Sequence, residues 1–173
     1  MNRRELETLL LTLESTPALL SRIAEGLSST EARIAPKAGG FSFVETVWHL
    51  ADLEREGYGV RIRRLLTEEE PTLSNFDGDR VARERAYPKR DLREGLAAFL
   101  AARRANVERL RAASPADWNR LGVQESVGRV ALSDIPRMMT EHDRAHTSEI
   151  ADLLSELSGG APLPLPRPSS AVA

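Results

Sequence analysis

Cysteine is absent from the sequence. Its absence excludes disulfide bonds, thiolate nucleophiles, cysteine-ligated zinc and iron–sulfur clusters. A metal ion in this protein would therefore be bound by His, Asp or Glu side chains.

Long hydrophobic runs are also absent, since no stretch approaches the roughly 20 apolar residues that a membrane-spanning helix needs. The first residues, Met1 to Glu5, become charged without the apolar core of a signal peptide. We therefore expect a cytoplasmic protein with no membrane partner.

The net charge is small: 24 Lys and Arg residues against 26 Asp and Glu residues leave a formal charge of −2. A chain with so little net charge lacks the field that holds a phosphate backbone non-specifically, so nucleic acid is not an expected partner. The 173 residues, of which 41% are hydrophobic and 29% charged, are typical of one globular domain with its own core.

Strand-like alternation is nearly absent, and the one short candidate is residues 123–131. Four long stretches instead place apolar residues at helical spacing, and they begin near Asn2, Ser42, Asp91 and Ser133. In the first stretch, Pro17 should kink the helix or begin a new one. These patterns predict an all-α domain built as a four-helix bundle.

A long polar segment, residues 71–90, separates the second helix from the third. Connections of this length in compact domains are often functional crossovers or flaps, and they fit bundles whose second and third helices are not hairpin partners. We assign residues 1–158 to the bundle. Residues 159–173 contain four prolines, which block a helix, so we expect a disordered tail there.

The chain has three histidines, and their placement is its most informative feature. His142 and His146 are four residues apart on the fourth helix, so they project from one face and can chelate one ion. The helical wheel puts both on the same side as Ile135 and Leu153, which predicts that they point into the bundle. His49 lies opposite the main aliphatic stripe of the second helix, so we expect it to face a more polar environment at the mouth of the bundle.

Two charged residues near these histidines are candidate catalytic groups. Glu149 falls on the inward stripe of the fourth helix, where an unpaired carboxylate is costly and a metal-ligating imidazole would stabilise it. Arg103 lies on the apolar stripe of the third helix. Either it extends to the rim, or its guanidinium binds a carboxylate of Glu149 or of the substrate.

Spacing alone leaves two interpretations of the histidines open: a metal site, or ordinary hydrogen-bonded core and surface residues. A di-iron carboxylate site is rejected, because it requires Glu-x-x-His on two helices and the chain offers only Asp143-x-x-His146.

The segment FSFVETVWHLAD at residues 41–52 and the segment TEHDRAH at residues 140–146 resemble the DinB/YfiT-like superfamily of metalloenzymes. The resemblance extends over about residues 2–157. It implies an up-down-down-up four-helix bundle that holds one divalent ion, commonly zinc or nickel, on three histidines, and His49, His142 and His146 occupy those positions. It also implies a homodimer. Many members have Gln near Glu149, so the carboxylate here changes the charge of the site.

Three mechanistic roles are compatible with these residues. Three imidazoles leave an ion at least one open position, as in catalytic sites. A thiol S-transferase would bind a low-molecular-weight thiol such as bacillithiol, as the resemblance implies for some members, and would direct it to a small-molecule electrophile. A hydrolase would activate water, with Glu149 or Glu45 as a base. In a non-catalytic, stress-associated bundle, the metal would only join two helices. The resemblance favours the S-transferase.

The Pro-rich tail generates the first testable prediction. Because residues 161–173 lack apolar periodicity, their deletion should leave both the melting temperature and the metal content unchanged. Calorimetry and metal analysis of the truncated and full-length chains check this prediction. A lower melting temperature in the truncated chain would mean that the tail docks on the bundle or on a partner subunit.

Overall fold

The computed structural model describes residues 3–159. The helices within this range are α1 (Arg3–Gly26), α2 (Phe43–Asp52), α3 (Gly59–Thr67), α4 (Gly78–Glu84), α5 (Leu92–Ala112) and α6 (Ile135–Leu157). The strands are β1 (Thr72–Leu73), β2 (Leu121–Gln124) and β3 (Gly128–Ala131). The predicted start at Asn2 and residues 160–173 of the predicted tail lie outside the described residues.

The predicted second helix is one continuous rod with an irregular centre. A π-helical segment, Leu53–Tyr58, joins α2 to α3 without a break. Its beginning is set by Ser42, whose hydroxyl accepts from the backbone N–H of Glu45 while the Glu45 carboxylate accepts from the backbone N–H of Ser42. Ser at the start of a helix with Glu three residues later is the capping-box pattern, so the local sequence accounts for this cap. The π-helical segment is a feature that the sequence analysis missed.

The rod and α5 run in the same direction. Near the start of α2, the indole of Trp48 donates to the carbonyl of Asp91, 2.9 Å away. Further along, Glu54 pairs with Arg103 at 3.0 Å. Because the later residue of the rod contacts the later residue of α5, the two helices are parallel. The crossover between them must therefore travel the length of the bundle.

The helix α1 runs parallel to α6 and antiparallel to α5. Thr16 contacts Asp143, and Glu5 contacts Arg137 near the other end of the same pair of helices. Against α5 the order reverses, because Leu13 lies beside Arg103 while the earlier residue Glu7 lies beside Arg111. The contacts therefore confirm the predicted four-helix bundle with up-down-down-up topology. None of the helices among the described residues combines the length and apolarity of a membrane span.

The crossover is more ordered than its polar composition suggests. It contains β1, α4 and a 3₁₀ turn at Tyr87–Lys89. Its far end is anchored on Asp52, a fully buried carboxylate that accepts from the Tyr87 hydroxyl at 2.7 Å and pairs with Arg85 at 2.6 Å. The crossover is thereby attached to the rod one turn after His49.

A small sheet accompanies the bundle. β1 pairs in parallel with β2, with Thr72 opposite Val123, and β2 pairs antiparallel with β3, with Leu121 opposite Ala131. The alternation predicted at residues 123–131 is therefore a β-hairpin. The sheet ties the crossover to the connection between α5 and α6.

Pro17 does not begin a new helix, because α1 continues through it to Gly26. A proline has no N–H to bond the carbonyl four residues earlier, which is that of Leu13. The Leu13 carbonyl instead accepts a hydrogen bond of 2.9 Å from the guanidinium of Arg103. A side chain from α5 thus replaces the missing backbone donor.

Arg103 is the centre of a buried charged layer and is only 1% exposed. Its two terminal nitrogens bind both carboxylate oxygens of Asp143, at 2.7 and 2.8 Å, and one also contacts Glu54 at 3.0 Å. Thr16 donates to Asp143 at 2.7 Å, and Asn106 donates to Glu54 at 2.7 Å. The alternative that Arg103 extends to the rim is therefore wrong, and so is the predicted contact with Glu149.

The charged layer separates two hydrophobic clusters. One cluster contains Leu20, Trp48, Phe99 and Ile150, and the other contains Leu13, Ile62, Val107 and Met139. Each of the four long helices contributes one of the named residues to each cluster. On every helix, the residue that joins the charged layer lies in the sequence between those two. The layer therefore joins all four helices near the middle of the bundle.

Arg103 and its neighbour Arg104 provide a matched test of this layer. Arg103→Met leaves two buried carboxylates without their cation, so we expect a loss of about 3–5 kcal/mol in the free energy of unfolding. Arg104 pairs with Glu108 on the surface, so Arg104→Met should cost less than about 1 kcal/mol. Urea denaturation measures both. Equal losses in the two variants would contradict the role of the buried layer.

Candidate metal centre

The structure brings the three histidines together although His49 on α2 is 93 residues before His142, the first of the two histidines on α6. One ring nitrogen from each of His49, His142 and His146 lies within 4.8 Å of the others. The Nε2 atoms of His49 and His142 are 3.4 Å apart. His49 is only 8% exposed, and the two histidines of α6 are half-buried.

The separation of the His49 and His142 nitrogens fits two ligands of a tetrahedral ion. With metal–nitrogen distances of about 2.0–2.1 Å, two ligands at a tetrahedral angle lie about 3.3–3.4 Å from each other. The observed 3.4 Å between His49 and His142 matches that separation. The donor set of three imidazoles is also suited to zinc and nickel.

The environment keeps two of the histidines neutral. Burial, together with the neighbouring imidazoles of His146 and His142, lowers the pKa of His49 to about 3. Burial, together with His146 and the guanidinium of Arg103, lowers the pKa of His142 to about 4. Because a metal ion binds the unprotonated imidazole nitrogen, both side chains are in the ligating form at neutral pH.

His49 lies in an aromatic environment, which corrects the expectation of a polar one. The rings of Phe41 and Phe76 lie 5.4 and 5.9 Å from its imidazole. The backbone of Gly78 also packs on the ring, so closely that a Cβ at this position would lie 2.5 Å from Cε1 of His49. The crossover therefore covers His49, and it requires glycine at the point of contact. The spacing of apolar residues along α2 contains no signal for this contact.

Glu149 orients His146 from the rim of the site. Its carboxylate accepts a hydrogen bond of 2.7 Å from Nδ1 of His146, which directs the other ring nitrogen toward the remaining histidines. The predicted pairing with an imidazole is therefore present. The predicted inward position is wrong, because the Glu149 side chain is 63% exposed while Ile150 and Leu153 occupy the core-facing positions.

Arg103 approaches the site only through its neighbours. Its hydrogen bonds go to Asp143, Glu54 and the Leu13 carbonyl, so none of them reaches the histidines. Sequence reasoning missed Asp143 as the partner of Arg103, although Asp143 directly follows His142. Asp143 lies away from the inward stripe of α6 on the helical wheel, and such a position can still face a neighbouring helix of the bundle. That possibility was the signal in the sequence.

Comparison with known protein families matches residues 12–150 to the DinB superfamily. The chain belongs to the DinB superfamily. Among the relatives of this DinB protein, a protein of Bacillus licheniformis named as a candidate metal-dependent hydrolase is 36% identical over 76 residues, 44% of this chain. That match spans 43% of the relative's own length. A second candidate metal-dependent hydrolase, from Oceanobacillus iheyensis, is 23% identical over 141 residues, which cover 82% of this chain and 81% of the relative.

The fold of the DinB protein is similar to that of YfiT from Bacillus subtilis, a structure described as a candidate metal-dependent hydrolase with an unusual four-helix bundle topology. The two structures align with a TM-score of 0.83 over 93% of this chain and 91% of YfiT, at 21% sequence identity. At this identity, the likeness establishes the fold and not the activity.

The hydrogen bond from His146 to Glu149 generates a prediction about metal affinity. Glu149→Gln keeps an acceptor but removes the charge, so we expect the protein to retain its metal with an affinity about 10- to 100-fold lower. Competition with a chromophoric chelator measures the affinity. Glu141→Gln, an exposed change on the same helix, should leave it unaltered. Complete loss of metal in Glu149→Gln would indicate that Glu149 is itself a ligand.

Proposed function

We propose that this DinB protein is a metal-dependent hydrolase that holds one divalent ion on His49, His142 and His146. The observation that carries the proposal is the convergence of three imidazoles that are buried or half-buried, with two Nε2 atoms at a ligand–ligand separation. The names of the Bacillus licheniformis and Oceanobacillus iheyensis relatives support the same class of reaction.

The ion would supply an acidified water molecule and a Lewis acid, because a divalent ion on three neutral imidazoles retains an open position and lowers the pKa of bound water toward neutrality. Zinc and nickel are the ions we expect. The ligand set carries no charge of its own.

The residues around the histidines have separate roles in this proposal. Glu149 accepts a hydrogen bond from Nδ1–H of His146 and so fixes the ring and its tautomer. Phe41 and Phe76 shield His49 from solvent on one side. Glu45, which the sequence offers as a base, is bound by the backbone and hydroxyl of Ser42 at the helix cap. Of the two carboxylates, Glu149 is the one in contact with a histidine of the site, so it is the base that we propose. Arg103 acts as a positioning residue through Asp143.

A thiol S-transferase is the second candidate. The open position would suit a thiolate as well as water, and because the chain has no cysteine, the sulfur must come from a co-substrate such as bacillithiol. Such an enzyme would transfer the thiol to a small electrophile. A homodimer and a role in stress responses remain predictions for either candidate.

Metal analysis combined with cobalt spectroscopy tests both candidates. We expect about one divalent ion per untagged chain after incubation with zinc or nickel, and a value near zero would refute the proposed function. In the cobalt-substituted protein, the open position predicts a visible spectrum that changes on addition of a small thiol. A spectrum that is indifferent to thiol would exclude the S-transferase.

Hydrolysis of a panel of ester, amide and phosphoester substrates, with and without a chelator, then distinguishes an enzyme from a structural metal. A hydrolase loses activity on chelation and regains it with zinc or nickel. A purely structural ion would change only the melting temperature, since an ion at a hundredfold excess over its Kd stabilises the fold by about 2.7 kcal/mol.

A further inference from the structure

A second buried arginine, Arg61, lies on the rod beyond Glu54 of the charged layer described above. It is 6% exposed and belongs to α3, one turn beyond the π-helical segment. One of its terminal nitrogens donates to the Ser74 carbonyl at 3.2 Å, and its Nε is buried with no hydrogen-bond partner. Among residues 3–159, the guanidinium also lies over the ring of Tyr58, with 5.5 Å from Cζ to the ring centroid.

Arg61 and Arg103 both have a buried Nε without a hydrogen-bond partner, but they differ in their counter-charges. Arg103 binds two carboxylates, whereas Arg61 forms an ion pair with no carboxylate among residues 3–159. Burial consequently lowers the pKa of Arg61 from its ordinary value. A buried charge without a counter-charge is strongly destabilising, so the guanidinium is suited to an anion that arrives from outside the fold.

The position of Arg61 relates this unused charge to the candidate metal centre. Tyr58 contacts Arg61 with its ring, and the same ring lies edge-on to the imidazole of His142 with 6.2 Å between centroids. Ser74, which binds Arg61, belongs to the exposed start of the crossover, and Phe76 of the same segment packs on His49. One short stretch of the crossover thus contacts both the arginine and the metal-ligating residues.

A second unsatisfied polar group flanks the same stretch. Gln124 is buried, its side-chain oxygen has no hydrogen-bond partner, and its backbone is in register with Leu73. This oxygen is a hydrogen-bond acceptor, so it does not itself attract an oxyanion. The unused donor beside residues 73–74 is therefore the Nε–H of Arg61.

We propose that Arg61 is the anion-binding residue of this site and that it selects small-molecule substrates that carry a carboxylate or phosphate group. The planar fork of the guanidinium is suited to both oxyanions, and the buried position makes each hydrogen bond stronger than it would be on the surface. The proposal rests on the proposed function, since it specifies the class of substrate. Anion binding itself requires no turnover.

The experiment measures binding of inorganic phosphate and of succinate by isothermal titration to the full chain, both metal-loaded and chelator-treated. The variants are Arg61→Met, Arg61→Lys and the control Arg63→Met, which removes an exposed arginine from the same helix. Metal content is measured for every variant. The two anions distinguish a phosphate-bearing substrate from a carboxylate-bearing one.

We expect the wild type and Arg63→Met to bind at least one of the two anions, also after chelation. Arg61→Met should bind the anion at least about tenfold more weakly than the wild type, with unchanged metal content. Arg61→Lys should fall between them, because it keeps the charge but loses the fork. If Arg61→Met does not fold, the Lys variant decides, together with the shift of the Arg61 Nε–H resonance in the wild type on addition of the anion.

Three results would overturn the proposal. They are unchanged anion affinity in Arg61→Met (or in Arg61→Lys if the Met variant does not fold), anion binding that disappears with the metal, and no anion binding by the wild type. Metal content and chelator-sensitive hydrolysis are measured independently of these titrations. Failure of the anion proposal is therefore distinguishable from failure of the metal-dependent function.

Discussion

The bidentate ion pair between Arg103 and Asp143 is the interaction on which the rest of the structure depends. It lies in the middle of the bundle, and its partners Thr16 and Glu54 bring the remaining two long helices to the same level. Charges buried this deeply are tolerated only when their geometry is satisfied, so the pair fixes the rotation of α6 about its axis. Since Asp143 directly follows His142, the same rotation determines which way the histidines of α6 point.

The π-helical segment at Leu53–Tyr58 affects the orientation of side chains along the rod that carries His49. An extra residue in one turn changes the phase of the residues that follow, and such turns are frequent at functional sites. In this protein the wider turn allows the Glu54 carbonyl to accept from both the Gly59 N–H and the Asn106 amide. The imidazole of His49 before the segment and the carboxylate of Glu54 within it reach separate partners in the interior.

The parts of the fold that could be predicted are those coded locally. Helical periodicity, the cap at Ser42 and the spacing of His142 and His146 depend on neighbouring residues, and a regular wheel is sufficient for them. The burial of Arg103 depends on side chains from three other helices. The helical wheel of α2 did not predict the surroundings of His49, because two of its neighbours, Gly78 and Phe76, belong to the crossover. The polar composition of the crossover gives no sign of these contacts. Contacts of this kind become visible only when the chain is folded.

Pro17 illustrates how a local defect can become a tertiary interaction. A proline in the middle of a helix removes one backbone hydrogen bond, and the substitution ordinarily lowers the stability of the helix by about 3 kcal/mol. In α1 the carbonyl left without its backbone donor is that of Leu13. Its oxygen is a third acceptor for the Arg103 guanidinium, beside the carboxylates of Asp143 and Glu54. The main chain of α1 thus takes part in neutralising a charge borne by α5. A helix of the same amphipathic pattern without this proline would use the Leu13 carbonyl in its own backbone hydrogen bond, so Pro17 makes α1 specifically complementary to α5 at this level.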